Sequence, residues 1–311
     1  MVVEDVPLYS TWDLETPKLP RRSHLYSLQP GGLGTARVES LTSYLSRLAE
    51  AHQVAVGALI RYEITPWFLI YSQSPRLSRA DAWQVSWAIW QRNPKLLQET
   101  TATAWLAASQ PVKRIVHALE TLTLRQDLAC LTLLPWRPLF SLTHAFHTEP
   151  FWCPMCYQEW RESGAIYTEP LMWSLEGVNV CPQHHCYLQL WCLYCRHPQP
   201  FLRLSARLGY CSNCGAWLGR SVEPTVFRPE DLKKKRWLFW CADAIGELLA
   251  FTPSLQLAPS DQFPQRRRKP QLTAFLKRCY KLGISCIEGL NLLSGSVDGV
   301  QLCLPGFESI K

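Results

Sequence analysis

Four short turns in one stretch of the sequence each offer a pair of soft metal ligands: Cys153 and Cys156 in "WCPMC", Cys181 and His184 in "CPQHH", Cys192 and Cys195 in "CLYC", and Cys211 and Cys214 in "CSNCG". A structural zinc ion takes four thiolate or imidazole ligands in a tetrahedron, and a two-residue gap delivers two of them from one turn. Fifteen residues separate Cys195 from Cys211, which is the spacing of a zinc ribbon. The other two pairs then make a second site of Cys153, Cys156, Cys181 and His184. His185 and Cys186 compete for its last position; His184 is preferred because C-x2-H repeats the two-ligand turn. Both sets fill with four protein ligands, whereas a catalytic zinc keeps a position open for water or substrate. The expectation is two structural Zn2+ ions.

The remaining composition supports metal over disulfides. Of thirteen cysteines, eight lie between residues 153 and 214, while Cys130, Cys241, Cys279, Cys286 and Cys303 are scattered through helix-like segments and read as small core hydrophobes. No run reaches the ~18–20 apolar residues of a membrane span, since "LFWCADAIGELLAF" carries Asp243 and Glu247. The start, "MVVEDVPLYSTWDLETPKLP", lacks the basic and apolar regions of a secretory signal, so a cytoplasmic, reducing setting is expected. There is no G-x-x-x-x-G-K-[ST] loop, G-x-S-x-G elbow or H-E-x-x-H helix. A zinc hydrolase would need carboxylates beside an open metal, and Glu159, Glu169 and Glu176 fall in no such pattern. A binding protein with no catalytic residue and no small-molecule substrate is the reading.

The elements that must position these ligands are helical. Residues 1–26 read as a polar tail. Residues 27–146 read as an N-terminal helical, helix-turn-helix-like domain: Leu41, Tyr44, Leu45 and Leu48 share one helical stripe, and Val56, Leu59 and Ile60 restart another. Any small bundle contains such pairs, so the motif stays open. Trp83, Trp87 and Trp90 sit on one helical face and read as core, and residues 111–134 predict a further helical pair. Residues 147–220 form the tandem zinc module. Residues 221–311 form a C-terminal helical domain, with a stripe at Trp237, Cys241, Ile245, Leu248 and Leu249, a loop over 252–270, and a helix ended by Gly283 before a capping box of Ser285 and Glu288. The fold class is thus mainly α with small zinc-ribbon and zinc-knuckle modules.

The formal net charge is +7, and the cations are bunched, which favours nucleic acid as a partner. Lys113 and Arg114 lie on one predicted helix; Lys233, Lys234, Lys235 and Arg236 open another; Arg266, Arg267, Arg268 and Lys269 precede the last helix pair. These ten are the candidate nucleic-acid contacts.

Two separate stretches resemble the TniQ/TnsD family of transposon target-selection proteins. "LYSLQPGGLGTARVESLTSYLSRLAEAHQV" is similar to that family's proline-containing lead-in and first helix, carried by Glu39, Ser40, Leu41, Ser43, Tyr44, Leu45, Arg47, Leu48 and Ala49. "WCPMC", Trp173, "CPQHHCYL", "CLYC" and "CSNCG" resemble its cysteine-rich half in order and type. The likeness spans residues 27–219. It implies a non-enzymatic adaptor joining a target-recognising component to the AAA+ ATPase TnsC, which acts on the transposase in turn. The short C-terminal part is most like TniQ of CRISPR-associated transposons, whose partners are a Cascade effector with its guide RNA and target DNA. The alternative is a TnsD-type protein that recognises a DNA site by itself.

Overall fold

A computed structural model of the protein describes residues 22–66, 110–142, 144–221, 231–257 and 269–294. The tryptophan stripe at 83–90, the arginines at 266–268 and Cys303 lie outside the described residues.

Helix α1, Leu41–Ala51, begins where Ser40 turns extended and its hydroxyl accepts the Ser43 N–H at 3.2 Å, an N-cap that satisfies one of the helix's orphan donors. Its stripe of Leu41, Tyr44, Leu45 and Leu48 is fully buried. Gln53, in the left-handed region at φ 55°, redirects the chain into α2, Val56–Leu59, which continues as a π-helical turn over Ile60–Ile64. The short helix pair expected here is present.

The pair expected over 111–134 is not. Helix α3, Gln110–Thr123, forms, but Leu124 adopts φ 56° and the chain then takes 3-10 turns at Leu128–Leu131 and Leu134–Trp136. The Arg125 guanidinium grips Asp127 two residues on, closing the turn that ends the helix. Beyond it Leu128, Leu131, Leu133 and Trp136 are all buried; apolar side chains crowded at that spacing are covered on more than one side, and Pro135 cannot donate to a helix.

The central region contains α4, Pro154–Ser163, and a 3-10 turn at Leu171–Ser174. Among the described residues it holds no strand, only isolated antiparallel bridges such as Trp152–Gln189 and Val180–Tyr187. The last part comprises α5 (Leu232–Leu257), α6 (Leu272–Leu282) and α7 (Cys286–Ser294). The expected loop from Thr252 starts late, because α5 runs through Pro253. The indole N–H of Trp136 donates to the Thr252 hydroxyl at 3.0 Å, holding that turn against the 3-10 segment. Gly283 (φ 66°) caps α6, and Ser285 and Glu288 exchange side-chain to backbone hydrogen bonds of 3.1 and 2.8 Å at the start of α7, as the capping box predicts. By length and composition α5 could cross a bilayer, yet 56% of its apolar window is buried inside the molecule, which is the situation of a core helix. It packs on the 3-10 turns, α6 and α7. One contiguous apolar core runs from α1 through the central region to α7.

Buried charge ties the central region to α1. The backbone N–H of Ser40 donates to the Glu169 carbonyl at 2.9 Å, and the Glu169 N–H donates to the Ser43 hydroxyl at 3.0 Å. The Glu169 carboxylate accepts from the Tyr157 hydroxyl of α4 and from the buried Arg203 guanidinium. Burial opposes the Arg203 charge, but the Glu169 carboxylate beside it more than offsets this and raises its pKa; burial likewise pushes the Tyr157 phenol well up. Removing one member of such a pair strands the other in low dielectric. Glu169→Ala is expected to cost about 3–5 kcal/mol in urea unfolding at saturating metal. Adding Arg203→Met should recover part of that loss; a single variant as stable as the parent would contradict the role.

Candidate metal centres

The four turns converge in pairs. The ligand atoms of Cys153, Cys156, Cys181 and His184 all lie within 4.8 Å of one another, as do those of Cys192, Cys195, Cys211 and Cys214. In the first group the sulfur of Cys156 is 3.8 Å from that of Cys181, and Nδ1 of His184 is 3.5, 3.3 and 3.6 Å from the sulfurs of Cys153, Cys156 and Cys181. In the second, Cys192 is 3.7 Å from Cys214 and Cys195 is 3.6 Å from Cys211, sulfur to sulfur. A tetrahedron with Zn–S near 2.3 Å and Zn–N near 2.05 Å has edges of about 3.8 Å between sulfurs and about 3.5 Å from sulfur to nitrogen. Both donor sets fit a tetrahedral zinc ion.

Three of the turns share one backbone design. The N–H of the residue after the second ligand donates to the carbonyl of the first: His185 to Cys181, Arg196 to Cys192 and Gly215 to Cys211, each at 2.9 Å. Those three residues are all left-handed, at φ 50°, 57° and 72°. Glycine takes that conformation without strain; histidine and arginine hold it at a cost. Each turn is closed behind by a bridge, Val180–Tyr187, Trp191–Pro198 and Tyr210–Trp217. The fourth turn differs. Cys153 is the N-cap of α4, its sulfur accepting the Cys156 N–H at 3.4 Å, with Pro154 at the first helical position, where a missing N–H does no harm.

The shared design also ranks the competitors for the first cluster. His184 occupies the place held by Cys195 and Cys214 in the other turns, and its far nitrogen, Nε2, lies 3.3 Å from the Glu159 carboxylate. A carboxylate on the outer nitrogen fixes which nitrogen faces the cluster. His185 turns away to pack on Phe239, with ring centroids 5.1 Å apart. Cys186 is buried with its sulfur 3.6 Å from that of Cys153, outside the group of four.

Other side chains steady the sulfurs. Gln199 donates to the Cys211 sulfur at 3.2 Å while its carbonyl accepts the Ser212 N–H at 2.8 Å, and Arg37 points at the Cys156 sulfur from 3.7 Å. Within the first cluster the thiols lie within hydrogen-bond distance of one another. Hydrogen bonding to Cys156, Cys181 and Cys186 pushes Cys153 up, whereas accepting from Cys153 and Cys156 holds Cys181 down. Thiols this close cannot all ionise by themselves; a bound divalent cation would replace their protons. With four protein ligands at each point, a bound zinc would supply folding energy and no vacant position for substrate.

Of the candidate nucleic-acid contacts, Lys233, Lys234, Lys235 and Arg236 are exposed in the first turn of α5, Lys113 is exposed on α3 with Arg114 half-buried beside it, and Lys269 is exposed with its ammonium donating to the Arg137 carbonyl at 2.8 Å. Sequence reasoning missed three further cations on α6, which docks on α5. Tyr280 of α6 packs its ring 5.0 and 5.2 Å from Trp237 and Trp240 of α5. Lys277, Arg278 and Lys281 are exposed on α6, the helix that this contact docks on Trp237 and Trp240 of α5. The four-residue step from Lys277 to Lys281 across Tyr280 was the available signal, but only tertiary packing shows which helix it faces.

The two competing ligands give a direct test. His184→Ala should lose about one of two metal equivalents in elemental analysis of the purified chain, and Cys186→Ser should keep both; the reverse pattern would place Cys186 in the cluster.

A family model described as TniQ matches residues 30–188, more than half of the sequence. The match takes in α1, α2, α3, α4 and the whole first cluster, and ends before Cys192; the likeness to 219 expected from the knuckles is therefore supported as far as 188. No curated protein matches the chain. On the extent of the family match, the chain belongs to the TniQ family.

Proposed function

We propose that this protein is a non-enzymatic adaptor in transposition target selection, holding two structural Zn2+ ions and linking an RNA-guided, Cascade-type effector to the AAA+ regulator TnsC. The family match over residues 30–188 carries this reading, since a TniQ domain is consistent with target selection in transposition. The chemistry of the clusters agrees with it: both donor sets are complete with four side chains, which suits scaffolding rather than bond breaking. The chain between the two clusters is short, and Arg203, lying between Cys195 and Cys211, is bonded to Glu169, whose backbone is bonded to α1. The metal module therefore fixes the angle between the N-terminal helices and α5–α7, giving a partner on each side a rigid spacer.

A second reading, an autonomous DNA-site selector of the TnsD type, draws on the α5–α6 face. Cations at a helix N-terminus oppose the positive end of the helix dipole, and phosphate groups would relieve their mutual repulsion. The face serves either reading, gripping guide RNA or target DNA through phosphates. Two measurements separate the readings. The adaptor should co-purify with TnsC and with the effector complex while binding duplexes weakly and without sequence preference; tight, site-specific retention of one duplex with no partner present would favour the selector. Under both, reversing Lys233, Lys234, Lys277 and Lys281 to Glu should weaken nucleic-acid binding and flatten its dependence on log salt by roughly 0.7–0.9 for each phosphate no longer neutralised. An unchanged slope would exclude the face as a nucleic-acid grip.

A further inference from the structure

The second metal cluster carries an aromatic groove that its scaffolding role does not require. One wall is the turn holding Cys192 and Cys195, which presents Trp191 and Tyr194; the other is Trp217 and the chain to Arg220; Trp152 and Pro154 form the floor. Tyr194 is 74% exposed and Trp191 48% exposed, and a large ring held in water forgoes the burial that usually stabilises it. The indole N–H of Trp152 is buried in the floor with no acceptor, although a buried donor left unpaired is costly.

The chain that forms both walls carries charge of one sign, whereas α4 beside it contributes Glu162, hydrogen-bonded to Gln158, whose amide oxygen accepts the Trp217 indole N–H. No Asp or Glu occurs from residue 177 to residue 222. Arg220 stands exposed at the rim with its backbone N–H anchored to the Pro154 carbonyl at 3.0 Å. Arg196 is exposed in the strained turn just after Cys195, and the Arg161 guanidinium lies over the Trp217 ring at 5.1 Å.

We propose that this groove binds unpaired nucleotides of a single-stranded nucleic acid, with bases stacking on Trp191 and Tyr194 and phosphates meeting Arg196 and Arg220. Exposed aromatic faces beside cations are the general means of holding single strands, because every base has a face to stack and every linkage a charge. The arginines at the rim favour a chain that carries a negative charge at every linkage over an uncharged peptide. The site is separate from the α5–α6 face and lies mostly beyond the residues matched to the family, so its failure would leave the proposed function standing.

The test uses the full, metal-loaded chain and a fluorescent oligothymidine of roughly a dozen nucleotides, the span of a small single-strand site. Binding should quench tryptophan fluorescence. Trp191→Ala combined with Tyr194→Ala should weaken oligothymidine binding about tenfold or more, with metal content unchanged and affinity for a duplex of equal length moved less than about twofold. Trp191→Phe with Tyr194→Phe should retain most of the affinity, because the stacking face survives. No binding of oligothymidine by the parent chain, equal losses for strand and duplex, or unchanged affinity in the double alanine variant would overturn the proposal; the last would leave a protein surface as the occupant of the groove.

Discussion

Thiols and one imidazole gathered at two points are the constraint on which the rest of this structure depends. The central region has no strand among its described residues and one helix of ten residues, so little backbone ladder holds it. Its hairpins are closed by single bridges and by left-handed residues, two of them not glycine. Such turns are weak unless something at their mouths over-determines them. Four ligands around a bound cation would do so, because losing the metal would leave crowded sulfurs facing one another's charge.

From those two points order spreads outward along named contacts. The Cys153 turn opens α4, and Tyr157 and Trp160 on that helix pack edge-on against one another and around Trp173. The Cys211 turn is held by Gln199, and the chain between the knuckles returns Arg203 to Glu169, which is bonded to α1. His185 touches Phe239 of α5. The clusters thus contact α1 through Arg203 and Glu169 and α5 through His185 on Phe239.

Much of this was legible in the sequence where the information is local. The two-residue gaps named all eight cluster residues, since ligand pairs on one turn need no knowledge of the rest of the chain. The α1 stripe, the Gly283 cap and the Ser285–Glu288 capping box were readable for the same reason. What escaped depends on distant partners. Helix α5 passes Pro253 because Trp136, more than a hundred residues earlier, bonds Thr252. Helix α3 stops at Leu124 through a backbone conformation that no residue type advertises. The Glu169–Arg203 pair joins segments with no pattern in common, and the docking of α6 on α5 depends on Tyr280 meeting two tryptophans far from it in sequence.

The central claim is that both clusters are closed, water-free zinc sites. X-ray absorption at the zinc edge of the purified chain measures it most directly. The account predicts seven sulfur ligands and one nitrogen ligand shared over the two clusters, with Zn–S near 2.3 Å and no oxygen neighbour. An oxygen bound directly to the metal, or a sulfur count that fills only one site, would contradict it.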